Sequence, residues 1–248
     1  PSKGWSAALI DTCGLRKPRS YFHQSVWRDK PMVHIGVFDG KLKRNPEKPH
    51  WSWPKIVSHW TFPWLEDEIT KLVTFTNCES VELFINQKSY GIKHLSDFPN
   101  KMMEWYVPYE EGEIKAIGFK DGKIVCEHQL KTAGKPSKIL LIPYRNYINA
   151  DGKDIAHIKV EIVDGKGVIV PEADPTINFN LFGPGEIIGL DNGNLLSNES
   201  YKTNYRKAYQ GKGLVIIQSK KEPGEIKLTA TTSKLPKRIT KILSQKKS

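Results

Sequence analysis

The sequence predicts an all-β protein made of two antiparallel β-sandwiches that follow one short helix. From residue 69 onward, short apolar runs alternate with turn-forming residues, at the spacing of roughly 8–12 residues that is typical of sandwiches. In residues 81–85, Val, Leu and Ile alternate with Glu and Phe, as in a strand with one buried face. No two strands are joined by a clear helical crossover, which argues against a parallel α/β sheet.

The predicted elements fall into two series separated by a break. A helix is predicted at residues 17–27, because Pro18 suits a first turn and Phe22 and Val26 are four positions apart on one face. The first series of strands is predicted at 69–76, 80–85, 102–107, 113–119 and 123–130. The second series is predicted at 138–143, 155–163, 177–181, 186–190, 213–219 and 225–231. The break at residues 132–136, which read Thr-Ala-Gly-Lys-Pro, is the best candidate for a domain boundary.

The net charge of +11 is concentrated at the two ends of the chain. The first 50 residues contain ten Lys and Arg against four Asp and Glu, and residues 233–248 contain six Lys and Arg and no acid. A nucleic-acid-binding domain would instead carry a basic stripe on its folded face. No nucleic-acid partner is therefore predicted, and a basic nucleic-acid-binding protein is the weakest alternative. Residues 234–248 are interpreted as a solvated basic tail.

The sequence predicts no metal site, no cofactor and no membrane span. This follows from the arrangement of its cysteine, histidine and apolar residues. Cys13, Cys78 and Cys126 are scattered and suggest neither a zinc site nor a disulfide framework, and Cys126 is interpreted as a small buried hydrophobe. The seven histidines lack metal-binding spacing. No apolar run approaches the roughly 18 residues of a membrane helix, and no secretory signal is evident. The chain begins without Met and enters an apolar run at once, which suggests a cut through a longer protein.

Residues 39–66 are rich in proline and aromatic residues and offer candidates for sugar binding. Exposed tryptophans stack on sugars, so Trp51, Trp53 and Trp60 are candidates for a carbohydrate-binding surface. The favoured interpretation is that these rings pack against a neighbouring domain. Adjacent acids at 66–68 and 110–111 are interpreted as solvated turns. Asp191 and Glu199 are too few ligands for a calcium site.

Three parts of the chain resemble the carboxyl-terminal half of family 2 glycoside hydrolases, of the β-galactosidase type common in gut Bacteroidetes. They read WSAALIDTCGLRK at 5–17 with YFHQSVW at 21–27, HW at 59–60 with TNCESVELFIN at 76–86, and GPGEIIGLDNGN at 183–194 with ES at 199–200 and RKAY at 206–209. The resemblance follows the order of the family and extends to about residue 233. Gln87 departs from it, because the family usually has Gly at this turn position.

The resemblance implies five parts. They are the end of the catalytic (β/α)8 barrel at 1–38, a connector at 39–66, a first immunoglobulin-like sandwich at 67–133, a second at 134–233, and the basic tail at 234–248. The helix would then be a remnant of the barrel, and Trp5 would follow the eighth barrel strand, where barrel active sites are built. Trp5 is therefore a candidate for lying beside a bound sugar, and packing between domains is the alternative.

The implied function is that of a non-catalytic accessory piece of a retaining β-galactosidase. The family mechanism needs two glutamates about 5–5.5 Å apart, and the resemblance places both before Pro1. The chain is thus expected to lack catalytic residues and to pack against its own barrel, whose pocket binds the carbohydrate substrate. The alternative function is a stand-alone carbohydrate-binding module. The exposed barrel-facing surface is also expected to allow a homodimer. The resemblance also suggests a bacterial periplasm or cell envelope.

Overall fold

The computed structural model describes residues 4–5, 7–40, 53–65 and 68–246. The chain divides between Thr132 and Ala133 into two compact units. Each unit contains two β-sheets with a buried apolar core. The prediction of an all-β protein with two sandwiches and one short helix is confirmed.

In the described residues, the first unit consists of one α-helix, eight strands and two single-turn 3₁₀ helices. They are α1 (Pro18–Trp27), β1 (Val33–Phe38), β2 (Ile56–Val57), the 3₁₀ helix Pro63–Leu65, β3 (Ile69–Thr76), β4 (Ser80–Ile85), β5 (Lys88–His94), the 3₁₀ helix Leu95–Asp97, β6 (Met103–Pro108), β7 (Glu113–Lys120) and β8 (Lys123–Lys131). One sheet has the order β2-β1-β3-β6 and the other the order β5-β4-β7-β8.

The second unit consists of nine strands in its described residues. They are β9 (Lys138–Pro143), β10 (Tyr147–Asn149), β11 (Ile155–Val163), β12 (Thr176–Phe182), β13 (Gly185–Asp191), β14 (Tyr205–Lys207), β15 (Lys212–Ser219), β16 (Gly224–Thr231) and β17 (Arg238–Gln245). The sheets have the orders β10-β17-β16-β12-β14 and β13-β15-β11-β9. The prediction of wholly antiparallel sheets is wrong for one pair, since β10 runs parallel to β17. The long stretch of chain between these two strands makes the parallel pairing possible.

The alternation in the sequence predicts the buried face of β4. Val81, Leu83 and Ile85 are fully buried, and the residues between them are only partly buried. Leu83 lies opposite Ala116 and Ile85 lies opposite Ile114 on β7. These cross-strand apolar pairs belong to the core of the first sandwich.

Strand β1 corrects the predicted boundary at residue 38. It pairs with β3 from Val33 opposite Thr76 to Val37 opposite Leu72, so it is an interior strand of the first sandwich and not part of a barrel. Its residues are buried almost without interruption. A strand that is covered on both faces shows no alternation of apolar and polar residues, which explains why the sequence did not reveal it.

The described part of the predicted connector at 39–66 also belongs to the first sandwich. Trp60, Phe62 and Leu65 are buried in its core, and β2 pairs with β1. Residues 41–52, 66 and 67 lie outside the described residues.

The prediction of a solvated tail at 234–248 is wrong for residues 238–245. These residues form β17, which pairs with β16 from Gly224 opposite Ser244 to Ala230 opposite Arg238. Ile242 and Ser244 are buried in the second unit. The basic residues of this segment occupy outward positions of a half-buried strand, so their charge concealed the strand pattern.

Gln87, the position that departs from the family pattern, lies in the tight turn between β4 and β5. Asn86 has φ 46° and Gln87 has φ 71°, a left-handed conformation that glycine adopts at the least cost. Asn86 holds the turn in place, because its side-chain oxygen accepts a hydrogen bond from the Glu113 N–H at 2.9 Å and its amide donates to the Glu111 carbonyl at 2.8 Å. The turn therefore forms without glycine, at a conformational cost of about 1–2 kcal/mol for each left-handed residue.

Candidate functional site

Helix α1 follows the loop that contains Trp5 and packs on the first sandwich. The helix begins at Pro18, whose nitrogen carries no hydrogen and so leaves no unpaired donor in the first turn. It ends at Trp27, after which the Arg28 N–H donates to the Gln24 carbonyl at 3.1 Å. Phe22 packs on the outer face of the β1–β3 sheet, with 5.8 Å between its ring centroid and that of Phe75.

The prediction that Val26 shares a packed face with Phe22 is wrong. It is exposed, and the buried position in the last turn of α1 is Ser25. The Ser25 hydroxyl donates to the Phe22 carbonyl at 2.7 Å, which satisfies this buried polar group within the helix. Val26 and the neighbouring Trp27, which is 80% exposed, thus form an apolar end of α1 that the described residues leave uncovered.

One arginine links two of the candidate tryptophans. The guanidinium carbon of Arg19 lies 5.5 Å from the ring centroid of Trp5 and 5.2 Å from that of Trp53, within the range of a cation–π interaction. Arg19 also donates from Nη1 to the Ala7 carbonyl at 2.6 Å. Trp5 is 58% exposed, whereas the Trp53 ring is partly buried beside Phe75. The helix therefore brings Trp5 and Trp53 together around Arg19.

The other candidate tryptophans do not join this cluster. Trp60 is 0% exposed, and its indole N–H donates to the Glu110 carbonyl at 2.8 Å. The hypothesis that Trp60 stacks on a sugar is wrong, because its ring forms part of the sandwich core against Tyr109. Trp51 lies outside the described residues.

The opposite side of α1 borders a shallow groove with a volume of about 490 Å³. Its lining residues are polar, basic or aromatic: Arg16, Ser20, His23, Gln24, Trp27 and Arg28. Arg16 is held over the Tyr21 ring at 4.0 Å and donates to the Ser20 hydroxyl at 3.0 Å. Within the described residues, the lining of the groove includes no carboxylate. Its side chains can donate hydrogen bonds and stack on a ring.

Asp191 and Glu199, the two acids considered as cation ligands, pair with the side chain of Arg206. Arg206 Nη2 lies 3.2 Å from Asp191 Oδ1, and Arg206 Nε lies 3.6 Å from Glu199 Oε2. Arg206 is buried and also donates from Nη1 to the Glu199 carbonyl at 3.1 Å. The guanidinium therefore supplies the positive charge at this position, and the loop that precedes β14 is fixed by it.

The described residues contain neither a metal-binding cluster nor a membrane-spanning helix. No three side chains of His, Cys, Asp or Glu in that part of the chain meet in a group that could hold a metal ion. No helix there combines the length and apolar character needed to cross a membrane. Glu110 and Glu111 are exposed, as is usual for acids in a turn.

A buried pair of histidines lies beneath α1. His34 on β1 stacks on Tyr21 with 3.6 Å between ring centroids, and its ring is 4.3 Å from that of His128 on β8. His34 Nε2 is 2.9 Å from the Ser58 hydroxyl. Burial, followed by the nearby His128 and Arg16, lowers the pKa of His34 well below its usual value. Burial alone lowers the pKa of His128 to about 4.

The histidine pair predicts a loss of stability in mild acid. Above pH 6.5 both the folded and unfolded forms of His128 are neutral, so pH has no effect through this group. Between pH 6.5 and about 4 the unfolded chain binds a proton that the folded chain does not, and the free energy of unfolding falls by about 3 kcal/mol. Urea unfolding at pH 7 and pH 4 measures this loss.

Substitution of His128 separates its contribution to the pH-dependent loss of stability from the contributions of other titratable groups. The variant His128→Asn keeps an acceptor for the Ile35 N–H, which donates to His128 Nδ1 at 3.2 Å, and it should lose about 3 kcal/mol less than the wild type over this pH range. His94→Asn, at an exposed position, is the matched control and should behave as the wild type. Parallel pH profiles for wild type and His128→Asn would contradict the prediction.

Known proteins match both units. Residues 139–241 match the family model described as glycoside hydrolase family 2 C-terminal domain 5, and residues 67–126 match a domain of unknown function (DUF4982). A β-galactosidase of Bacteroides ovatus is 38% identical over 98% of the chain. The chain belongs to the carboxyl-terminal region of glycoside hydrolase family 2.

Other family 2 proteins match over most of the chain. A β-galactosidase of Thermoanaerobacter pseudethanolicus is 35% identical over 80% of the chain. A crystal structure of a glycosyl hydrolase family 2 member from Bacteroides cellulosilyticus superimposes with a TM-score of 0.89, at 36% identity over 96% of this chain and 31% of that one. This family 2 chain spans 26% and 27% of the two curated relatives, or about a quarter of their length.

Sequence reasoning named Trp5 and Trp53 as candidates but did not reveal Arg19, whose guanidinium lies near both rings. Arg19 was read only as part of a predicted helix, because an arginine between two tryptophans distant in sequence leaves no local pattern. Arg206 was noted only within the family motif RKAY. Its position on β14, opposite Ile177, places it in the second unit where the acids of the preceding loop meet it.

Proposed function

We propose that this chain is the non-catalytic carboxyl-terminal accessory region of a retaining, β-galactosidase-like family 2 enzyme. The observation that carries the proposal is the match along 98% of this chain to only 26% of a Bacteroides ovatus β-galactosidase. The role of the accessory region is to brace a catalytic barrel supplied by the longer enzyme.

The chemistry of the α1 surface supports a binding role without hydrolysis. A retaining glycosidase needs two carboxylates about 5–5.5 Å apart, and the groove beside α1 is lined by arginine, histidine, serine, glutamine and tryptophan side chains. The family resemblance places the catalytic glutamates before Pro1. The chain by itself would then have no turnover.

The exposed end of α1 supplies the surface for the barrel. Val26 and Trp27 expose apolar surface to solvent. Exposed apolar patches commonly mark the site where a partner binds. In the longer enzyme this partner would be the preceding barrel. In the isolated chain the same surface would favour pairing with a second copy, which light scattering detects as a doubled mass.

Trp5 is the residue of this chain that we place nearest the sugar. It is more than half exposed, and Arg19 holds its ring from one side. By resemblance it follows the eighth barrel strand, and barrel active sites are built at the carboxyl ends of the strands. A ring fixed on one side and open on the other suits stacking on a sugar face.

A chimera tests the function. This chain would replace the matching quarter of the Bacteroides ovatus β-galactosidase, and the isolated chain would serve as the second sample. We expect the chimera to hydrolyse a chromogenic β-galactoside and the isolated chain to hydrolyse neither that substrate nor a β-glucuronide. Turnover by the purified isolated chain, or a folded chimera without activity, would contradict the proposal.

The same chimera separates the two interpretations of Trp5. If Trp5 contacts the sugar, Trp5→Ala lowers kcat/KM by roughly tenfold or more while the Tm changes little. Trp27→Ala is the matched control, because Trp27 is also exposed but lies at the proposed barrel contact; it should lower the Tm first. A Trp5→Ala variant that loses stability with unchanged kcat/KM would assign Trp5 to packing.

A further inference from the structure

Cys78 and Cys126 are 48 residues apart in the chain, yet their sulfur atoms lie 3.3 Å from each other. Cys78 belongs to the turn between β3 and β4, and Cys126 belongs to β8 at the edge of the second sheet of the first unit. Cys78 is 1% exposed, whereas Cys126 is only partly buried. The interpretation of Cys126 as an inert hydrophobe does not account for this pairing.

Hydrogen bonds fix the backbone that carries Cys78. Its N–H donates to the Thr76 hydroxyl at 3.0 Å, and that hydroxyl donates to the Met32 carbonyl at 2.7 Å. The Asn77 side chain accepts from the Met32 N–H at 2.8 Å and donates to the Arg28 carbonyl at 2.7 Å. The turn is therefore held from two sides, and the Cys78 sulfur has a defined position.

Gly118 leaves the space in which the two sulfurs meet. It lies directly opposite Cys126 in the β7–β8 pair, beside a bulge. A Cβ atom at this position would lie 2.7 Å from the Cys78 sulfur and 2.8 Å from the Cys126 sulfur, closer than any such contact allows. The absence of a side chain at Gly118 is thus a condition for the contact between the cysteines.

We propose that Cys78 and Cys126 form a reversible disulfide that links the β3–β4 turn to strand β8. An S–S bond is about 2.05 Å long, so the sulfurs need to approach by little more than about 1 Å. The partly exposed Cys126 gives an oxidant access to a pair whose other member is enclosed. This inference is independent of the proposed function.

The reaction is a thiol–disulfide exchange with a small disulfide as the oxidant. The Cys126 sulfur, after losing its proton, attacks the small disulfide; this breaks that S–S bond, forms a mixed disulfide and releases one thiolate. The Cys78 sulfur then attacks the Cys126 sulfur and displaces the second thiolate. The two protons of the cysteines end on the two released thiols, and the protein pair loses two electrons to the small disulfide.

The charge state of the reduced pair favours the second step, in which the Cys78 sulfur attacks Cys126. The hydrogen bond between the two sulfur atoms lowers the pKa of Cys78 to about 6 and raises that of Cys126. Cys78 therefore carries thiolate character at neutral pH, as an attacking sulfur requires. An oxidising compartment would keep the pair as a disulfide, and a reducing one would keep it as thiols.

The experiment compares the full chain after reduction and after incubation with oxidised glutathione. We expect the oxidised chain to lose two hydrogens by intact mass and to keep one alkylatable thiol in denaturant, on Cys13. Peptide mapping should join the peptides of Cys78 and Cys126. Closing this loop should raise the Tm by roughly 5–10 °C, with a reversal on reduction.

Three variants test whether the disulfide forms between Cys78 and Cys126. Cys13→Ser should still form the bond and keep no free thiol, and Cys126→Ser should show no oxidant-dependent change in Tm. Gly118→Ala should slow the closure at least about tenfold, because its Cβ occupies the space between the sulfurs. Three alkylatable thiols in the oxidised wild type, or a bond that involves Cys13 or a second chain, would overturn the proposal.

Discussion

A chain that ends at Pro236 should lose the cooperative unfolding of its second unit. Strand β17 lies between β10 and β16 in the five-stranded sheet, so its removal leaves two strands without their neighbour. Ile242 is buried in the core, and the facing residues of β16, Ile226 and Leu228, would become exposed. The loss is on the order of the 5–15 kcal/mol that keeps a domain folded.

Thermal unfolding followed by circular dichroism measures this effect. A control chain that ends at Gln245 retains all of β17 and should melt as the full chain does. A second variant, Ile242→Ala, should destabilise the second unit by about 2–5 kcal/mol, because it leaves a cavity without removing the strand. An unchanged melting curve for the chain that ends at Pro236 would show that the strand is dispensable.

Replacing Arg206 by methionine should have the second largest effect. The Arg206 side chain is 3% exposed and neutralises Asp191, which is also buried. Methionine fills a similar volume but removes the positive charge beside the Asp191 carboxylate, which keeps the hydrogen bond donated by the Asn192 N–H at 2.7 Å. Breaking such a buried ion pair costs about 3–5 kcal/mol. Urea unfolding at neutral pH measures the change.

Two further variants distinguish the unpaired charge from a packing defect. In the double variant Arg206→Met with Asp191→Asn, no buried charge remains, and we expect most of the lost stability to return. Lys207→Met is the matched control, since the Lys207–Asp174 ion pair is exposed on both sides and contributes about 0–1 kcal/mol. Equal losses for Arg206→Met and the double variant would assign the effect to packing.

The sequence predicted strands where one face is buried and the other is polar. Ser80–Ile85 and Ile155–Val163 alternate in burial and have the predicted bounds, because turn residues mark their ends. Strand β1 was missed because both of its faces are covered, so that no period of two appears. Strand β17 was missed for the opposite reason, since its outward basic residues resemble a solvated tail.

The candidate site was less predictable than the fold, because its residues meet only through tertiary structure. The position of Trp5 came from the family resemblance, but its pairing with Arg19 depends on the path of the loop before α1. The contact between Cys78 and Cys126 depends on a turn and an edge strand that come together across Gly118. Local sequence patterns do not predict such tertiary contacts between residues distant in the chain.

Because β17 lies between β10 and β16, the second unit can complete its fold only after the first unit during synthesis. Strands β1 to β8 all lie before Thr132, so the first sandwich can fold while the ribosome is still translating the second. The five-stranded sheet of the second unit has a gap until residues 238–245 emerge. During that interval β10 and β16 present unpaired edges, which makes the nascent second unit the natural client of a chaperone.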